Sequence, residues 1–324
     1  DGAALRTARG ESFERVRVED ADLSDIDLTG ANLSGSEFIR CVLNGACLSG
    51  AQLADAVFTD CRLDGVNAER VSAGRLMASG CSWVGASLSQ ADLSAARCDA
   101  CDFTRANLSE AVLERSSFSK CLFADGSFAK LRARRANFSM CDLTRTDFTQ
   151  AELGDAIIED GPLDDARFTQ ASLAGSSWWG VKGVAIDFSA ANLAGARIGR
   201  KSGFERSNFD GADLTNACAS DTAFTASTLR GTRLDKSLLS NCDLSGTDAC
   251  RATARAADLA GSRMNGARWT GANLMQASLR RMALSNVDLS GANLHAADTS
   301  GARFERVLLT DALMTRFRLP EDAS

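Results

Sequence analysis

Histidine is almost missing from this sequence: His295 is the only one in 324 residues. That scarcity excludes most zinc patterns, and the residues beside His295 supply no nucleophile for it to activate. Long apolar runs are missing too. None approaches the ~18 residues of a membrane span, and no signal-peptide pattern opens the chain, so a cytoplasmic location is expected. An excess of positive charge is also lacking. Lys and Arg number 36 against 42 Asp and Glu, for a net charge of −6 and a pI near 5.1. This argues against a direct nucleic-acid binder, which would normally be basic. The first residue is Asp1, which suggests a processed chain or one part of a longer protein.

What the chain does have is repetition. Ala21-Asp22-Leu23, Ala31-Asn32-Leu33, Ala91-Asp92-Leu93, Ala106-Asn107-Leu108, Ala191-Asn192-Leu193, Ala272-Asn273-Leu274 and Ala292-Asn293-Leu294 restate one unit. Steps of five from Phe13 to Ile198 visit 38 positions, of which 32 are Phe, Leu, Ile, Val or Trp. After a slip of one residue, steps of five from Phe204 to Leu319 visit 24 positions, 20 of them Leu, Phe, Met or Trp. A small residue usually sits two places before each. A period of five fits neither a helix nor a flat strand. It requires a chain that bends at every unit, with one small and one large residue inward and the others outward.

A second period supports this. Cys41, Cys61, Cys81, Cys101, Cys121 and Cys141 recur every twenty residues, as do Phe128, Phe148, Phe168 and Phe188. Four five-residue sides per turn place each set in one column of a stacked solenoid. With A(D/N)LXX as its unit, the sequence resembles the pentapeptide-repeat proteins over about residues 13–319. The resemblance implies an all-β fold, a right-handed quadrilateral parallel β-helix of about 15 coils, or roughly 75 Å at ~4.8 Å per strand.

The expected organisation is a cap or linker over 1–12 (with Arg6, Arg9 and Glu11), a first solenoid segment over 13–198 and a slip over 199–203. A second segment over 204–319 and a tail over 320–324 complete it. The slip, bracketed by Gly199 and Gly203, reads as a bulge, a tight corner or a kink. At Val66/Ala68, Val71/Ala73 and Leu76/Ala78 the large and small residues exchange roles, conserving core volume and changing the side profile into either ordinary packing or a groove. Leu131/Ala133 and Val181/Gly183 repeat the exchange. Ala249 and Ala254 have no large neighbour in exchange, so their coil is expected to be the thinnest and least stable. The column cysteines are expected as free, small hydrophobes suited to a reducing compartment. No metal or cofactor site is expected.

No catalytic constellation is apparent, and an enzyme is not expected. The outward positions carry the candidate sites. Arg115, Arg132, Arg134 and Arg135 form a basic patch. Glu152, Asp155, Glu159, Asp160, Asp164 and Asp165 form an acidic stretch with no Lys or Arg between 152 and 165. Trp178 is expected inward and Trp179 outward, near Lys182, Arg200 and Lys201, a composition common at protein-binding hot spots. The reading is a non-enzymatic scaffold for a protein partner, possible as a module of a larger, secretion-associated protein. Resemblance to pentapeptide-repeat proteins that protect DNA gyrase implies an alternative, mimicry of duplex DNA. A structural spacer is the third reading.

Overall fold

In the computed structural model, which describes residues 9–317, the chain turns a corner every five residues. Arg6, Leu319 and the tail over 320–324 lie outside the described residues. The unit around Leu28 shows how the corner forms. The Leu28 carbonyl accepts the Ala31 amide at 3.0 Å, closing a turn over Thr29 and Gly30. Gly30 has a φ of 66°, as the third residue of a type II turn requires. Other corners put ordinary residues in this region, among them Asp25 at 56° and Arg40 at 51°. Corner amides are committed to the following coil along most of the chain; Asp25 N, for example, donates to Asn44 O at 2.9 Å.

The Asp or Asn before the large residue braces the same turn. Asp22 Oδ1 accepts the Ser24 amide at 3.0 Å, Asp27 the Thr29 amide at 3.0 Å and Asn192 the Ala194 amide at 3.1 Å. These side chains point outward as the repeat predicts. They are Asx-turn acceptors and not merely solvated groups, which explains why the repeat asks for Asp or Asn there.

Cα packing divides the chain into two units, 1–166 and 167–324. Each is a right-handed quadrilateral parallel β-helix. In the first, β1 (Arg17–Glu19), β2 (Glu37–Ile39), β3 (Val57–Thr59), β4 (Met77–Ser79), β5 (Arg97–Asp99), β6 (Ser117–Ser119), β7 (Asn137–Ser139) and β8 (Ile157–Glu159) pair in chain order. The register is constant at twenty residues, as in Val18↔Phe38 and Phe138↔Ile158. The other faces are joined by parallel bridges of the same step, such as Asp22↔Val42.

The second unit contains β9 (Ser177–Trp179), β10 (Lys182–Val184), β11 (Arg197–Gly199), β12 (Gly203–Glu205), β13 (Ala283–Ser285) and β14 (Arg303–Glu305). Here the slip becomes visible. Trp178 pairs with Ile198 at the usual step, but Gly183 pairs with Phe204, one residue further on. Arg200 and Lys201 both have positive φ, 54° and 57°, so one corner holds two left-handed residues where others hold one. Ser202 turns inward and donates to the Gly199 carbonyl at 2.6 Å. The ladder runs through: Asp187↔Asn208 spans the extra residue, and Gly203↔Ala223 restores the twenty-residue step.

The inward columns pack face to face along the coils. Phe118 stacks on Phe138 at 5.4 Å, and Phe188 on Phe209 at 4.9 Å despite the inserted residue between them. The exchanged pairs from Val66/Ala68 to Leu76/Ala78 are all buried and stay in the coil. Trp83 reaches across the alanine coil to lie edge-on to Phe58 at 5.7 Å. A comparable intrusion corrects the expectation of an uncompensated thin coil at Ala249 and Ala254. Trp269, one coil further on, sends its indole back far enough for Nε1 to donate to Thr247 Oγ1 at 3.2 Å. The missing volume is supplied from the neighbouring coil, which a scan within one coil does not detect.

Two predictions follow from these tryptophans. Trp269→Ala removes the ring that serves two coils and should cost about 3–5 kcal/mol in urea unfolding; a loss below about 1 kcal/mol would show that the coil collapses around Ala249. Trp178 Nε1 donates to Ser176 Oγ at 2.8 Å, but buried Trp83 Nε1 has no partner, because Cys81 occupies the equivalent place. Cys81→Ser should therefore raise stability by about 1 kcal/mol, whereas Cys121→Ser, beside Phe123, should lower it. Equal losses in both would refute the account.

Candidate interaction surface

Outward residues twenty apart in sequence are neighbours in space, and this decides the electrostatics. Arg40 grips Asp20 through two bonds of 2.7 Å, and Arg75 grips Asp55 through two of 2.6 Å. In the second unit Arg233 reaches Asp213 at 2.6 Å, Arg255 reaches Asp235 at 2.6 Å and Arg263 reaches Asp243 at 2.9 Å. Asp248 holds two guanidinium groups, Arg230 at 2.7 Å and Arg268.

This pairing breaks up both charged patches expected in the first unit. Arg132 lies 3.2 Å from Glu114, and Arg135 lies 3.9 Å from Asp155. Arg115 and Arg134 are exposed and make no side-chain bond. The acidic stretch is compensated across coils: Asp155 meets Arg135, Glu152 lies opposite Arg132 on the ladder, and Asp165 acts on Arg145. Glu159, Asp160 and Asp164 are engaged as well. Neither patch is a single-sign surface, because the compensating charge lies about twenty residues away and not in the local run.

Trp178 is fully buried and Trp179 is half-buried. Trp179 pairs with Gly199 on the next coil, and a methyl group there would lie 2.6 Å from its ring. The absent Gly199 side chain thus gives the indole a flat seat. Lys182, Arg200 and Lys201 are exposed close by in the chain, and Arg197, which the repeat pattern does not single out, lies on the same strand as Gly199. A separate groove of about 270 Å³ runs along β3–β6, lined by Met77, Ala78, Arg97, Cys98 and Asp99 among others. It lies where the exchange of large and small residues changes the coil's profile.

The eleven cysteines are free thiols. At the start of the ladder column two amides meet the next thiol, Cys41 N with Cys61 Sγ and Cys61 N with Cys81 Sγ, each at 3.4 Å. Burial pushes the Cys242 thiol up to about 12. Cys98 and Cys101 form a Cys-x-x-Cys spacing that the twenty-residue reading passes over; both are buried on consecutive faces. Among the described residues no three metal-ligating side chains converge, and no helix is long and apolar enough to cross a membrane.

A family profile described as pentapeptide repeats matches the chain in overlapping copies over 21–72, 78–160, 220–253 and 255–316. No curated protein matches. Among solved structures, HetL from Nostoc sp. strain PCC 7120, a pentapeptide-repeat protein involved in heterocyst differentiation regulation, is 21% identical. The match covers 99% of this chain and 94% of HetL, with a TM-score of 0.23. The pentapeptide-repeat protein Rfr23 from Cyanothece 51142 is 25% identical over 40% of this chain and 90% of its own, with a TM-score of 0.24. A trypsin-treated form of QnrB1, a plasmid-mediated fluoroquinolone resistance protein, is 18% identical over 68% of this chain and 90% of its own, with a TM-score of 0.34.

The arginine pairs make stability depend on acid. The side chains of Asp213, Asp235, Asp243 and Asp248 are only 13–25% exposed, against 41–63% for Asp20, Asp55 and Asp125. Burial works to raise the carboxyls of the first four, yet bonds from Arg233, Arg255, Arg263, Arg268 and nearby amides hold them below the usual range. A depressed folded pKa contributes stability above the unfolded value of ~3.9 and loses it as pH falls through the folded value. The melting temperature should thus be flat from neutral pH to about 4.5 and drop steeply below ~3.9. In the double variant Arg230→Met/Arg268→Met the drop should be shallower; an unchanged slope would exclude Asp248 as a contributor.

Proposed function

The chain belongs to the pentapeptide-repeat family, and from that premise we propose that it is a non-enzymatic scaffold that binds a protein partner. The observation that carries this reading is the division between inside and outside. In both units the large inward residues, from Phe38 to Leu294, are buried and packed, so recognition falls to the outward columns. These columns hold side chains at fixed spacing on a stiff backbone, which lowers the ordering cost of binding. The half-buried Trp179 with Lys182, Arg200 and Lys201 is the proposed contact, and the unpaired Arg115 and Arg134 are a second. A place in the cytoplasm suits the free thiols, and the scaffold can serve as one module of a larger protein.

Mimicry of DNA before gyrase is less well supported. A mimic needs a continuous row of negative charge, whereas here Asp155, Asp125 and Asp55 each face an arginine. The test has two arms. Affinity capture should retain a partner on the wild-type protein, and Trp179→Ala/Lys182→Ala should weaken that retention about ten-fold while its thermal melt stays cooperative. Equal retention by both proteins would remove this surface from the proposal. Supercoiling by DNA gyrase should be unaffected by an excess of the protein; inhibition, or protection from a quinolone, would replace the scaffold reading with DNA mimicry.

A further inference from the structure

The surface around Trp179 departs from the pairing that governs the other arginines. Elsewhere the residue one coil away from an Arg is often a carboxylate, as for Arg40, Arg75, Arg145, Arg233, Arg255 and Arg268. Arg197 instead lies between Ser177 and Cys218, and Lys182 beside Gly203. Neither Arg197, Lys182 nor Lys201 has a side-chain partner. Of the nearby carboxylates, Glu205 is 3.4 Å from Arg206, and Asp221, one coil beyond Lys201, forms no ion pair with it. The inserted corner brings Lys201 to this surface, at the second of two consecutive left-handed positions.

The chain's overall acidity conceals this surface. Residues 1–166 carry 17 Lys and Arg against 27 Asp and Glu, whereas 167–324 carry 19 against 15. Uncompensated cations around an aromatic ring seated on glycine call for a ligand with carboxylates and one apolar group. A short segment meets that need, and the chain's net charge of −6 disfavours a long polyanion.

We propose that Trp179, Lys182, Arg197 and Lys201 bind an acidic peptide segment of the partner protein. An apolar side chain of the segment rests on the indole and its carboxylates meet the three cations. The proposal builds on the scaffold reading and specifies the chemistry of the partner.

The test is fluorescence anisotropy with three labelled probes: a short Asp/Glu peptide with a central Leu, its Asn/Gln counterpart, and oligo(dT). The acidic peptide should bind in preference to both others and lose affinity with added salt. Lys182→Glu/Lys201→Glu should weaken it about ten-fold or more, while Lys120→Glu, at an exposed position of the other unit, leaves it unchanged. Replacing the central Leu by Gly should weaken binding to the wild type but not to Trp179→Ala. Equal binding of the acidic and neutral peptides, equal loss in Lys120→Glu, or preference for oligo(dT) would each overturn the proposal, the last in favour of a nucleic-acid surface. If the acidic peptide fails while Trp179→Ala/Lys182→Ala still releases a captured protein, the scaffold reading survives this one; if neither binds, both fall.

Discussion

The backbone hydrogen bond from one coil to the next is the constraint on which the rest depends. A chain that bends every five residues cannot satisfy its amides locally, apart from the single bond that closes each corner. The remaining amides must find carbonyls on adjacent coils, and they do so at a nearly constant offset. That offset holds only if each corner keeps its left-handed residue. Corner geometry therefore controls ladder, column and core together, and the Asp or Asn acceptor that braces the corner acts on all three.

Fixed columns also organise charge. A carboxylate and a guanidinium one coil apart lie at ladder spacing, so Arg–Asp pairs recur along the coils without a helix or hairpin to align them. Exposed pairs of this kind contribute little individually. The more sheltered aspartates of the second unit differ, because burial would raise their pKa and the arginines prevent it. Around Trp179 the cations Lys182 and Arg197 have no carboxylate at that spacing and Lys201 forms no ion pair, which is the basis of the proposed peptide contact.

Much of the fold was legible from periodicity, because a single chemical rule is applied at every fifth position. The Cys and Phe columns could be placed before any coordinate was known, and the exchanged pairs at Val66/Ala68 to Leu76/Ala78 remained in the coil. What could not be read lies between coils. Trp269 fills space beside Ala249 from twenty residues away, and Arg135 neutralises Asp155 over the same interval. A local charge run such as 152–165 therefore misrepresents its surroundings. Arg197 was overlooked because nothing in its own pentapeptide is unusual; its neutral neighbours Ser177 and Cys218 make it stand out. The pair Cys98 and Cys101 was hidden by the longer column that contains one of its members.

The constant offset also limits how such a chain can change length. Removing or duplicating twenty residues leaves every surviving side chain in its own column, so whole coils are the natural unit of insertion and deletion. Any other number moves all later residues to the wrong face unless a corner absorbs the difference. The corner at Arg200 and Lys201 does this for one residue by adopting a second left-handed conformation. It stands as a repaired frameshift in three dimensions, and shows that the architecture tolerates an error in length provided the error falls where the chain already turns.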